Sequence, residues 1–243
     1  MAPSPVFGEF MGTLVLILLG NGVVANVNLK RSKAEGAGWM VITGGWAFGV
    51  MAGVFTAMAC GSADGHLNPA VTLCVAVQTG NYASVLPYWG AQVLGAFVGA
   101  VLVWFHFLSH WRVTEDSAIK LVCFSTTPAI RRRWINLANE AIGTFVLVLV
   151  VWAISTKAAT GGNPAPGLGP YLVGSLVWGI GLSLGGTTGY AINPARDLGP
   201  RIAHALLPVA GKGSSDWAYA PVPVLGPLAG AVLAGLLIRA ITL

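Results

Sequence analysis

Two apolar segments of this chain each begin with an Asn-Pro pair and are too short to cross a bilayer: NPAVTLCVAVQT from Asn68 and NPARDLGPRIAHALL from Asn193. Asn suits a helix cap and Pro the first helical position, so each reads as a short helix that starts at the pair itself. Around them lie six stretches long and apolar enough to span, which takes about 20 residues. They cover 6–27, 39–60, 84–108, 135–157, 170–187 and 218–241. Of the 243 residues, 55% are hydrophobic and 9% charged, where a water-soluble domain carries about 25% charged residues. Such a chain cannot cover itself with polar surface, and its class is an all-α integral membrane protein.

The chain also repeats. EFMGTLVLIL at 9–18 matches EAIGTFVLVL at 140–149, and VLGAFVGAVL at 93–102 matches VLGPLAGAVL at 224–233. Both matches have an offset of 131, while Asn68 and Asn193 lie 125 apart. The repeats, about 5–108 and 135–241 of one transmembrane domain over 1–243, each read as span, span, short helix, span. An odd number of spans per repeat makes the second enter from the opposite face, so the copies are expected to be inverted. Inversion brings the two short helices in from opposite faces, with their Asn-Pro starts meeting near the midplane. Irregular backbone at that depth is tolerated only where it is buried or lines a water-filled cavity. The simplest construction is a pore with two helix N-termini at its centre.

Other features narrow the class by what they lack. Cys60, Cys74 and Cys123 have no metal spacing and read as packing residues. The net charge of +5 is modest and sits in loops, so no nucleic-acid partner is expected. The opening MAPSPVFGEF has no basic stretch or cleavage pattern, so the first apolar stretch is expected to remain as a span. No nucleophile–base pair, phosphate loop or metal cluster stands out, and neither a cofactor nor a catalytic role is expected.

Two Asn-Pro-Ala boxes, an Arg directly after the second, a Glu early in the first span of each half and six spans together resemble the aquaporin and aquaglyceroporin (major intrinsic protein) family. The resemblance runs from Glu9 to about Arg239. It implies six spanning helices and two re-entrant half-helices around one pore per protomer, four protomers per assembly, and a place in the plasma membrane. It also implies roles for Asn68, Pro69 and Ala70 and for Asn193, Pro194 and Ala195. The Asn side chains cap their helices and keep their amide nitrogens free to donate into the lumen, while the Pro and Ala residues hold the geometry. The helix N-termini, each carrying about half a positive charge, repel cations and turn a passing oxygen toward the Asn pair.

On the family's pattern Arg196 is the selectivity-filter cation. Gapless spacing assigns Phe48, 20 residues before Asn68, to the filter position on the second span. Trp46 competes if two residues are inserted before the box, and Phe48 is preferred. Gly181 falls at the fifth-span filter position and Tyr190 at the loop position. Water-selective members narrow the filter with His where Gly181 stands, whereas glycerol-conducting members keep Gly with two aromatics and Arg. Tyr190 departs from the usual Phe. Asp197, Arg201, Pro223 and Val224 mark the glycerol branch, and Asp197 and Arg201 can pair at i, i+4. Glu9 and Glu140 lie within apolar spans and read as buried carboxylates, and the resemblance implies that they accept hydrogen bonds from the re-entrant loops. His66 is the pore-lining residue before the first box, although SADGHLNPA departs from the usual order and leaves Asp64 without a role.

The expected activity is passive passage of glycerol and water. Dihydroxyacetone, urea, lactic acid and hydrogen peroxide are further small neutral solutes that the sequence does not rank. A water-selective channel is the first alternative, and a coupled secondary transporter the second. Orientation is contested. The resemblance implies cytoplasmic termini, but Lys30, Arg31, Lys33, Arg112, Lys120 and Arg131–Arg133 would then sit in external loops, against the positive-inside bias. The resemblance, which covers every span, is followed.

Overall fold

The computed structural model describes residues 3–161, 164–165 and 167–242. Its helices are α1 Pro5–Asn28, α2 Trp39–Ala59, α3 Pro69–Thr79, α4 Val85–His106, α5 Leu108–Val113, α6 Ser117–Val122, α7 Arg133–Ile154, α8 Lys157–Thr160, α9 Leu168–Leu184, α10 Pro194–Leu206 and α11 Pro221–Thr242. No strand occurs among the described residues. Five helices, α1, α2, α4, α7 and α11, are long and apolar enough to span a membrane. The sixth, α9, has 17 residues, about 25 Å of rise. The half-helices α3 and α10 start at the Asn-Pro pairs, with Asn68 and Asn193 as N-caps. The six spans and two half-helices expected from the sequence are the architecture observed.

Local chemistry sets several boundaries. Ser4 caps α1 by accepting from the Phe7 amide, with Pro5 at the first helical position. At the far end of α3, Gly80 turns the chain in the left-handed region at φ 74°, where a side chain would be strained.

Packing follows the internal repeat. The offset maps α1, α2, α3 and α4 onto α7, α9, α10 and α11. Helix α1 packs on α4, and α7 on α11; α3 rests on α11, and α10 on α4. Each half-helix is therefore seated on the last helix of the other repeat. Glycines permit the close approach. A Cβ at Gly95 would lie 2.3 Å from the Phe10 carbonyl oxygen, and one at Gly226 would lie 2.8 Å from that of Leu137. In lipid, such backbone contact replaces the hydrophobic drive that water would supply.

The connection from 107 to 132, where the sequence reading placed a loop over 109–134, carries α5 and α6 and folds onto the helices. Trp111 and Phe124 are buried with ring centroids 5.6 Å apart. Some of its cations have structural partners. Lys120 is buried and donates to the Ala210 carbonyl. Arg131 pairs with Asp216 and lies over the Tyr219 ring. Lys30, in the preceding loop, pairs with Glu35. These positions therefore have a reason to be basic that is independent of membrane orientation.

Candidate functional site

Two cavities run through the helix bundle. The larger, about 480 Å³, has Asp64, His66, Asn68, Asn193 and Arg196 in its wall. The smaller, about 250 Å³, is bounded by Trp39, Val122, Ser125, Thr126 and Gly189, among others. Their walls have three residues in common: Trp46, Tyr190 and Arg196. These three side chains form the partition between the cavities.

At the centre of the larger cavity the two re-entrant loops hold each other. Asn68 Oδ1 accepts from the Ala70 amide at 2.8 Å, and Asn193 Oδ1 accepts from Ala195 and Arg196. The amide nitrogens cross over: Asn68 Nδ2 donates to the Ile192 carbonyl and Asn193 Nδ2 to the Leu67 carbonyl, both at 2.8 Å. An amide nitrogen carries two hydrogens. The sequence reading left both nitrogens free; the structure commits one hydrogen of each to the opposite loop, leaving the other for the lumen. Pro69, Ala70, Pro194 and Ala195 are buried at the helix starts.

This geometry needs unusual backbone. Leu67, Tyr190 and Ile192 have positive φ angles of 52°, 38° and 43°, a region that non-glycine residues avoid at a cost of about 1–3 kcal/mol each. The buried carboxylates hold Leu67 and Ile192 there. Glu9 Oε1 accepts from Ser62 Oγ and the His66 amide, and Oε2 from the Leu67 amide and Gln92 Nε2, at 2.7–2.8 Å. Glu140 accepts from the Ala191 and Ile192 amides at 3.0 and 2.9 Å. Each carboxylate thus grips the two residues immediately before its own repeat's Asn.

Arg196 is buried, with its guanidinium 4.2 Å from the centroid of the Trp46 ring. Its Nη1 donates to the Phe124 carbonyl at 3.3 Å. Asp197 and Arg201 are fully buried partners that stitch together three segments. Arg201 bonds both Asp197 oxygens and the carbonyls of Thr126, Ser215 and Asp216, while Asp197 also accepts from the Thr126 amide and hydroxyl. Two buried ions demand such partners. The sequence reading found the pair but missed the Phe124 carbonyl and Thr126. Pro223 is buried and Val224 half-buried in the first turn of α11, and neither lies in a cavity wall.

Two filter assignments need correction. Phe48 is 64% exposed on the outer face of α2, whereas Trp46 is 5% exposed and forms the partition. Residues two apart on an α-helix point about 200° away from each other, so only one of them can face the lumen. The gapless count assumed a fixed path between α2 and the first box; that path turns at Gly61 and Gly65, with φ 108° and 52°. Gly181 is buried but lies in neither cavity wall. A Cβ there would meet Tyr190 Cζ at 2.7 Å and Thr43 Cγ2 at 2.9 Å. The room that glycine leaves is filled by the Tyr190 ring rather than left to a solute. The Trp39 indole, which donates to the Gly181 carbonyl at 3.0 Å, braces that ring edge-on at 5.8 Å.

His66 lies in the wall of the larger cavity, its Nδ1 3.1 Å from Thr72 Oγ1 and its ring edge-on to Tyr88. Asp64, two residues earlier, also lies in that wall and accepts from the Tyr88 hydroxyl at 3.1 Å.

Comparison with known proteins agrees with this geometry. Glycerol uptake facilitator protein 3 of Lactiplantibacillus plantarum is 54% identical over 234 residues, 96% of this chain and 94% of that protein. The glycerol uptake facilitator protein of Streptococcus pneumoniae is 52% identical over 232 residues, 95% and 96% of the two. The X-ray structure of the aquaglyceroporin from Plasmodium falciparum superposes with a TM-score of 0.83 at 29% identity, covering 98% of this chain and 95% of that one. Residues 4–238 match the description of the major intrinsic protein family, and the chain belongs to that family.

Proposed function

We propose that this chain is a passive channel for glycerol and other small neutral solutes, water among them, that excludes protons and ions. The observation that carries this reading is the Trp46–Tyr190–Arg196 partition between the two cavities. Two aromatic faces offer an apolar wall to the carbon backbone of a polyol. The guanidinium, which rests against the Trp46 ring, offers donors to its hydroxyls. Similar relatives named for glycerol uptake support the choice of solute.

Ion exclusion would come from the centre. The N-termini of α3 and α10 meet at Asn68 and Asn193, and their positive ends disfavour cations. One amide hydrogen of each Asn remains to bind a passing oxygen and interrupt a chain of waters. Water, dihydroxyacetone, urea, lactic acid and hydrogen peroxide are all small enough to be considered with glycerol. The same reading includes inverted repeats, a homotetramer in the plasma membrane and cytoplasmic termini. In support of a tetramer or lipid contact, Leu86, Leu94 and Phe105 turn large apolar side chains outward from α4.

Glycerol entry into proteoliposomes, followed by light scattering with and without imposed proton and sodium gradients, tests this. The expected rate is the same under every gradient and well above that of empty vesicles. A rate that follows an ion gradient would mark a coupled transporter.

A further inference from the structure

We propose that Asp64 is the group that turns small anions away from this channel, an inference that rests on the channel reading above. The positive groups that reach the wall of the larger cavity are the two helix N-termini, with about half a charge each, and Arg196. The Glu9 and Glu140 carboxylates lie behind that wall, turned onto the loop amides. The exposed positive groups disfavour cations but offer small anions such as halides and carboxylates a partner. A negative charge on the solute path would discourage such anions.

Asp64 is the one carboxylate among the described residues lining the larger cavity. The other carboxylates at depth are occupied elsewhere. All four hydrogen bonds of Glu9 go to Ser62, Gln92 and the backbone of the first loop, and those of Glu140 hold the second. Asp197 is paired with Arg201. None of the three reaches a cavity wall. Asp64, by contrast, is exposed, and the hydroxyl of the buried Tyr88 steadies one of its oxygens. Tyr88 is itself packed against His66, another lining residue. The carboxylate is therefore held at the mouth formed by residues 63–66, with the Asn pair between it and the Arg196 partition. An anion that crosses the larger cavity must pass this fixed negative charge.

The site is wet, so the effect is screened. A unit charge about 4 Å away in water changes ion occupancy about fivefold, and salt erodes this as the Debye length falls from about 30 Å at 0.01 M to about 3 Å at 1 M.

The experiment uses the full chain in proteoliposomes at pH 7.5. Chloride entry is followed with an entrapped chloride-sensitive dye, and valinomycin with potassium prevents charge build-up. Glycerol entry is measured on the same vesicles. At low ionic strength, Asp64→Asn is expected to raise the chloride permeability coefficient about fivefold. Asp64→Glu should return it toward the wild-type value, and the effect is read as the ratio of chloride to glycerol permeability in the same vesicles. In the wild type alone, the chloride coefficient should rise as ionic strength increases, a reading that needs no variant to fold. Equal chloride permeability in wild type and Asp64→Asn, including no measurable entry in either, overturns the proposal, as does a wild-type coefficient that ignores ionic strength. Absence of glycerol entry in the wild type would instead overturn the channel reading.

Discussion

Replacing Glu9 by alanine should remove most of the folded protein. The substitution orphans three donors at once, Ser62 Oγ and the His66 and Leu67 amides, and takes one of the two bonds of Gln92 Nε2, which keeps Thr72 Oγ1. Each unsatisfied buried donor costs about 1–3 kcal/mol, so even the low end is a large share of the roughly 5–15 kcal/mol that separates folded from unfolded protein. Leu67 also loses the bond that holds its backbone in the left-handed region, and its carbonyl is the acceptor for Asn193. Thermal unfolding in detergent should therefore drop by at least about 8 °C, with loss of assembled protein on size exclusion. Glu9→Gln should recover only part of this, because its amide nitrogen meets donors where the carboxylate oxygen met them. A midpoint within about 2 °C of wild type for Glu9→Ala would mean that the loop is held by other contacts.

Arg196→Val should leave the fold largely intact and open the channel to charge. Asn193 Oδ1 bonds the backbone amide at 196, which valine retains. What disappears is the guanidinium between Trp46 and the Phe124 carbonyl. A unit cation about 6 Å from a passing cation, at an effective dielectric near 20, raises its barrier by about 3 kcal/mol. Its loss should raise proton conductance on the order of 100-fold, read from the decay of an imposed pH gradient in proteoliposomes. Glycerol entry should persist or rise, since the partition becomes wider. Unchanged proton leak together with unchanged solute preference would place Arg196 outside the barrier.

Much of this architecture is written in local sequence. Asn-Pro at 68 and 193 is a cap followed by a first helical residue, so both half-helices could be started at the right residue. The matching runs at 9–18 and 140–149 placed Glu9 and Glu140 at equivalent points, and their burial in apolar sequence demanded donors that the two loops supply. What the sequence did not show depends on register and on distant contact. Trp46 and Phe48 are both aromatic and two residues apart, and the choice between them turned on how many residues the turn at 60–66 absorbs. Gly181 could be assigned to the filter region, but only the position of the Tyr190 ring reveals that the space beside it is already full. The segment 109–134 was read as loop because it lies between the stretches 84–108 and 135–157 that are long enough to span. Its Phe124 carbonyl and Thr126 matter because Arg196 and Asp197 reach them from about 70 residues away. The sequence offered Asp197 and Arg201 only as a pair at i, i+4 on one helix face, which points to neither of these distant partners.

We propose that solutes pass one constriction, formed by Trp46, Tyr190 and Arg196, with glycerol among the solutes admitted. The most direct test compares wild type, Trp46→Ala and Phe48→Ala in proteoliposomes, with light scattering following entry of glycerol and of four- and five-carbon polyols. Wild type should admit glycerol faster than the longer polyols. Trp46→Ala should admit the longer ones more readily, because the aromatic wall beside Arg196 is gone, and Phe48→Ala should match wild type, because that ring lies on the outer face of α2. No glycerol entry in wild type, or a changed size preference in Phe48→Ala with none in Trp46→Ala, would contradict the account.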